Sequence, residues 1–282
     1  MEQSRGGQHS RRSRRRVKRP WWRGPLPLVG TVAVVVIAVV VFIVAANQSG
    51  SEGPIGQVVP ASLVREVTAV SPSVISAVGT GGLRTPLRAI SGPTLTSGGK
   101  PELLYIGAEY CPYCAANRWS LVNALSRFGT FSNLHYMRSA TTDGDIATFT
   151  FHGGSTYTSK YLAFLPIENE DRSGNQLETM TAAQQQLFST LGNNGFPFLD
   201  FAGKYANGAG STSAGGFDPN ILAGADWTKI AAALKNANDP ITQAIIGNAN
   251  YETAAICTLT HNQPAASCQV PAIKTIQRTL AH

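Results

Sequence analysis

Glu102-Leu103-Leu104-Tyr105-Ile106-Gly107-Ala108-Glu109-Tyr110-Cys111-Pro112-Tyr113-Cys114 is the stretch on which the reading of the fold turns. Residues 103–106 form an apolar run that reads as a buried strand, and residues 112–128 read as helix. The two cysteines therefore sit where a strand gives way to a helix. A helix N-terminus carries partial positive charge and unpaired N–H groups. Both favour a thiolate over a thiol. Cys111 is expected to be a nucleophile near neutral pH. Cys114, one turn further in, is placed to resolve a mixed disulfide. The pattern points to thiol–disulfide exchange, a chemistry that needs no bound cofactor.

Working outward, residues 134–138 read as a second strand, with further strands at 147–151 and 161–167. Residues 181–191 read as a helix with Thr181 as its cap. Residues 198–202 and 204–205, joined near Gly203, read as a hairpin. Asp226 caps a helix that runs through Leu234. Asp239-Pro240 starts another that runs toward Ile256, with proline at the favoured first position. Residues 273–280 read as a last short helix. Upstream, residues 60–78 show helical apolar spacing broken near Ser71-Pro72, and residues 86–96 look extended with turns. The order is β-α-β followed by a late β-β-α.

Residues 107–114 resemble the thioredoxin active site, which reads Ala-Glu-Trp-Cys-x-x-Cys, and the inner Pro-Tyr dipeptide is the one typical of glutaredoxins. Gly195-Phe196-Pro197-Phe198-Leu199-Asp200-Phe201-Ala202-Gly203-Lys204 resembles the thioredoxin loop that carries a cis-proline beside the dithiol. The resemblance implies that Cys111 is the nucleophile, Cys114 the resolving thiol and Pro197 the cis-proline. It implies that substrate lies against Phe196, Pro197, Pro112 and Tyr113. The longer run from Gly99 to Phe131 is similar to a membrane-anchored, thioredoxin-like family catalogued as domain of unknown function 929, over most of residues 60–280. Two features depart from thioredoxin. Its buried aspartate, six residues before the first cysteine, is replaced by Tyr105, which stays protonated near pH 7. The 86-residue step from Cys111 to Pro197 is also longer, and the inserted part reads partly as strands.

The net charge of +7 belongs to a tail. Nine of the 23 Lys+Arg residues but one of the 16 Asp+Glu residues fall within residues 1–23, which leaves the tail at +8 and the rest at −1. The remainder shows no basic face for nucleic acid. Residues 28–46 contain no charge and are rich in Val and Ile. As a helix they span roughly 28 Å, close to the hydrocarbon thickness of a bilayer. Trp21 and Trp22 suit the interfacial belt, and the basic flank places the N-terminus in the cytoplasm. A cleaved signal peptide is the competing reading, and the length of the apolar run favours an uncleaved anchor. Basic residues in the tail also suit contact with anionic lipid.

Outside the cytoplasm, Cys257 and Cys268, separated by ten residues, are expected to form a structural disulfide, with a redox relay to Cys111 and Cys114 as the alternative. A closed zinc site needs four ligands, and no second close cysteine pair supplies them, so no metal is expected. His135 and His152 lack metal-ligand spacing and read as structural or surface residues.

The expected architecture is α/β, a thioredoxin-like fold with an insertion and C-terminal helices, preceded by one transmembrane helix. Its parts are a cytoplasmic basic tail (1–27), the span (28–46), a linker (47–59) and an extracytoplasmic domain (60–282). The expected function is a single-pass, membrane-anchored thiol–disulfide oxidoreductase. Its partners would be protein thiols and disulfides, the lipid bilayer and, as an open possibility, a membrane redox protein. The alternative is a non-catalytic envelope scaffold on the same fold, in which Cys111–Cys114 is a stable disulfide.

Overall fold

The computed structural model describes residues 54–84, 86–207 and 216–280. The expected span at residues 28–46 and the basic tail lie outside the described residues. Among the described residues, no helix is long and apolar enough to cross a membrane.

In chain order the first elements are helices α1 (Ala61–Thr68) and α2 (Pro72–Val78), then strands β1 (Leu87–Ala89), β2 (Thr96–Ser97) and β3 (Lys100–Ala108). Helix α3 (Pro112–Ser126) follows, then β4 (Gly129–Ser132), β5 (His135–Arg138), β6 (Ala147–Thr150), β7 (Thr156–Ser159) and β8 (Ala163–Glu170). The chain continues with α4 (Ala182–Thr190), β9 (Phe198–Phe201), β10 (Tyr205–Asn207), α5 (Trp227–Ala233), α6 (Pro240–Leu259), α7 (Ala265–Cys268) and α8 (Pro271–Leu280).

Strand β3 is the centre of a mixed sheet. It pairs in parallel with β8, and antiparallel with β9 on its other side. Strand β10 pairs with β9, and β1 with β10, both antiparallel. The strand order is therefore β8-β3-β9-β10-β1, with β2 folded back on the start of β3. Successive side chains of β3 point to opposite faces, as the period of two requires. Leu103 and Tyr105 enter the larger core with α3 and α6, whereas Leu104 and Ile106 meet Phe188 of α4 on the other face. A sheet covered on both faces explains why β3 reads as an uninterrupted apolar run.

Helix α3 is buried along nearly its whole length, from Cys114 to Leu125. It lies among the sheet, β6, α1 and the twenty-residue α6. Its partner α6 begins at Asp239, whose carboxylate accepts the Ile241 N–H (2.8 Å), with Pro240 in the first turn. Thr181 caps α4 in a reciprocal box: its hydroxyl accepts the Gln184 N–H and the Gln184 side chain accepts the Thr181 N–H. The helical stretch at residues 60–78 is broken at Ser71, which caps α2 through its hydroxyl.

The expected β-α-β unit has a different second strand. Residues 135–138 do form a strand, but β5 pairs with β6 in a separate two-stranded sheet, with a single bridge from Val58 to His135 on its other side. The parallel neighbour of β3 is β8, reached after an insertion that also holds the β4–β7 pair. The physical reason is burial. Strand β8 runs beside β3 from Glu102↔Ala163 to Ala108↔Glu170 and buries Ile167, Glu168 and Asn169, whereas β5 buries Met137 alone.

Candidate active site

The site begins where β3 leaves the sheet. Its register with β8 shifts between Gly107 and Ala108, a bulge that re-aims the chain toward α3. Gly107 is required here because a Cβ would lie 2.2 Å from the Tyr105 hydroxyl. The Tyr105 ring fills that space and meets Phe151 edge-on.

Cys111 is the N-cap of α3, and its sulfur accepts the Cys114 N–H at 3.3 Å. One of the orphan donors of the helix start thus points at the sulfur. Cys111 keeps 7% of its surface exposed and Cys114 none. The two sulfurs are not bonded to each other. The Cys111 thiol is held below its ordinary range, first by hydrogen bonding from the Cys114 side chain, then by the Cys114 N–H and the nearby Arg118 guanidinium, against the opposing pull of burial. The Cys114 thiol is pushed well up, first by burial and then by Cys111. The accessible sulfur is the more acidic one, which is the asymmetry that exchange chemistry needs.

Across from the dithiol, the Phe196–Pro197 bond is cis. The Cys111 thiol faces the Phe196 carbonyl oxygen at 3.9 Å, so the structure brings together two segments 85 residues apart. Pro197 is buried, and Phe196, Pro112 and Tyr113 are half-buried. Tyr110, Tyr113 and Phe196 pack around Ala108, Cys111 and Cys114. Phe196 stacks on Phe188 at 5.1 Å and meets Tyr110 edge-on at 6.4 Å. The result is an aromatic rim beside a nearly covered sulfur.

Beneath the rim lies a charged cluster that the motifs did not announce. Arg118, one turn after Cys114 on α3, is fully buried. It donates to both oxygens of buried Glu168, at 2.9 and 2.6 Å, and to the Ala108 carbonyl at 2.8 Å. Burial pulls the guanidinium down, but the Glu168 carboxylate together with Tyr105 and Cys114 more than offsets it, so Arg118 stays charged. Burial pushes the Tyr105 hydroxyl up, and that hydroxyl has no hydrogen-bond partner. Glu109 is buried and accepts the Thr150 hydroxyl at 2.6 Å. Burial raises its carboxyl, with the Thr150 hydrogen bond opposing. Spacing offered a partial signal for Arg118, since residues four apart share a helix face. Nothing local pointed to Glu168, fifty residues further on.

Cys257 and Cys268 are joined by a disulfide that ties α6 to α7. Both are fully buried. By the loop-entropy account, a loop of this length stabilises the fold by roughly 2–3 kcal/mol. Among the described residues, no group of three or more His, Cys, Asp or Glu is arranged to hold a metal ion. His152 instead contacts Glu178 at 2.7 Å.

The described chain is thus an α/β domain that presents a dithiol at the start of a buried helix. Residues 87–258 match the family described as a domain of unknown function (DUF929), and the chain belongs to that family. No curated protein and no solved structure matches it.

Proposed function

We propose that this protein is a membrane-anchored, extracytoplasmic thiol–disulfide oxidoreductase built on a thioredoxin-like domain. One observation carries the reading. Cys111 caps α3, accepts the Cys114 N–H and faces Phe196 across the cis Phe196–Pro197 loop, while Cys114 is sealed behind it. The sheet supports the fold assignment: β3 and β8 are parallel and linked through α3, and the antiparallel β9–β10 hairpin lies on the other side of β3. The anchor and the compartment rest on residues 28–46 and the basic flank.

In the reducing direction, the Cys111 thiolate attacks one sulfur of a substrate disulfide and a mixed disulfide forms. Cys114 then loses its proton and attacks Cys111, which releases the substrate thiol. In the oxidising direction, a substrate thiolate attacks Cys111 of the Cys111–Cys114 disulfide, and Cys114 leaves. The aromatic rim of Phe196, Tyr110 and Tyr113 gives an extended protein segment an apolar surface beside the reacting sulfur.

The deciding measurement is the reduction potential of the Cys111/Cys114 pair, read by alkylation and mass spectrometry after equilibration in thiol redox buffers. A value between about −120 and −270 mV is expected, the range of exchange catalysts. A value below about −300 mV would mark a structural disulfide. It would favour the scaffold reading, for which Tyr105 in place of a carboxyl is the supporting observation.

A further inference from the structure

The buried ion pair of Arg118 and Glu168 lies beneath the dithiol. Burying a guanidinium and a carboxylate together takes both ions out of water before their attraction repays the loss, and apolar replacements are often as stable. An ion pair of this kind is therefore weak evidence for stability, and its place in the fold needs another reason. Its position is specific. Arg118 follows Cys114 by four residues on the same face of α3. The Ala108 carbonyl accepts from Arg118 Nη2 at 2.8 Å and from the Cys111 N–H at 3.3 Å. Ala108 itself packs against both cysteines.

The pair is also lopsided. Its cation reaches the dithiol loop, while none of the Glu168 carboxylate's hydrogen bonds does. Besides Arg118, Glu168 Oε1 accepts only the Phe151 N–H, at 3.3 Å. Arg118 Nη1 is buried with no hydrogen-bond partner, so one edge of the guanidinium has no acceptor. No ionised acid stands at Tyr105 to oppose it.

We propose that Arg118, held in place by Glu168, is a positioning residue that makes the Cys111/Cys114 pair an oxidant of protein dithiols. The inference rests on the exchange reading above and supplies its direction. A fixed buried cation stabilises negative charge on sulfur. The disulfide carries no charge and the reduced pair carries a thiolate, so the cation favours the reduced state. A pair whose reduced state is stabilised accepts electrons readily, which is the logic of an oxidant.

A substrate thiolate attacks Cys111, the Cys111–Cys114 bond breaks, and Cys114 leaves as a thiolate near Arg118. The second substrate thiol, losing its proton to solvent, attacks the substrate sulfur of the mixed disulfide. That releases the Cys111 thiolate. The substrate loses two electrons and gains a disulfide; the pair gains them, and Cys114 takes up a proton. A small-molecule or protein disulfide regenerates the pair by the reverse exchange.

The test equilibrates the full-length chain with reduced and oxidised glutathione and quantifies each cysteine by alkylation and mass spectrometry. R118M/E168M removes both charges without stranding either. Its equilibrium is expected to shift at least tenfold toward the disulfide, about 30 mV. E168Q leaves the cation less opposed and is expected to shift the equilibrium toward the dithiol. Opposite signs are not what two merely structural lesions produce, and E168Q alone decides the matter if the double variant does not fold. A wild-type pair that exchanges while E168Q moves by less than threefold, or moves toward the disulfide, overturns the role of Arg118. A wild-type pair that does not exchange at all overturns the underlying reading of the site.

Discussion

At the scale of single residues, the chemistry depends on two thiols being unequal. Cys111 is held down by hydrogen bonds from Cys114 and the start of α3, whereas Cys114 is pushed up by complete burial. Alkylation of the reduced protein should therefore modify Cys111 with a pH midpoint below the ordinary thiol value of about 8.5. Cys114 should remain unmodified across that range. A midpoint at or above the ordinary value, or equal labelling of both sulfurs, would contradict the geometry. The stability linkage has a definite sign. Cys111 has a depressed folded value, so its contribution is present above the unfolded thiol pKa and is lost as pH falls through the folded one. Cys114 is raised, so its contribution is present below the unfolded pKa and is lost as pH climbs through the folded one. The local motif around Cys111 was legible because capping and helix-start chemistry are short-range. The ion pair of Arg118 with Glu168 was not legible, because its partners meet only after α3 and β8 pack on β3.

At the scale of elements, the interface of α3 with α6 holds a second buried acid. Glu252 accepts the side-chain N–H groups of Asn117 at 2.8 Å and Asn248 at 3.1 Å. Burial raises its carboxyl to about 8, against the lowering effect of Asn117 and Arg127. The other carboxyl oxygen and the Asn117 carbonyl oxygen are buried without partners. A raised folded value means that the stabilising neutral form is fully present below the unfolded value and is lost as pH rises. Between pH 4.5 and pH 7 this amounts to roughly 3 kcal/mol. Glu252→Gln keeps an acceptor for Asn117 and Asn248 and carries no charge at any pH. The variant should unfold in urea at a higher midpoint than the parent at pH 7, with the difference shrinking toward pH 4.5. An equal midpoint at both pH values would mean that Glu252 does not carry its proton into neutral solution. The helices of this interface were largely legible: Cys111-Pro112 and Asp239-Pro240 mark their starts, and their burial makes them apolar on most sides. The pairing of strands was not. Residues 134–138 and 161–167 both read as short strands, and only the long register of β8 with β3 separates a core strand from one in the insertion.

At the scale of the whole molecule, the charge distribution argues for a fixed orientation. The basic excess is confined to residues 1–23, ahead of the uncharged stretch at 28–46, while Glu52 is the first charge beyond it. Positive flanks stay on the cytoplasmic side, so the dithiol domain should lie on the other side of the membrane. That compartment also suits the Cys257–Cys268 disulfide, a bond common in oxidising compartments and rare in the cytosol. Two tagged full-length chains decide the point, one tagged before residue 1 and one after residue 282. In intact cells stripped of their wall, external protease should remove the C-terminal tag and spare the N-terminal one. Alkaline carbonate should leave the chain in the membrane pellet. Release by carbonate would show that residues 28–46 do not span the bilayer, and protection of the C-terminal tag would place the dithiol among cytosolic thiols. The second outcome would also remove the environment in which an oxidising Cys111/Cys114 pair can stay oxidised, so the topology experiment bears on the chemistry as directly as on the anchor.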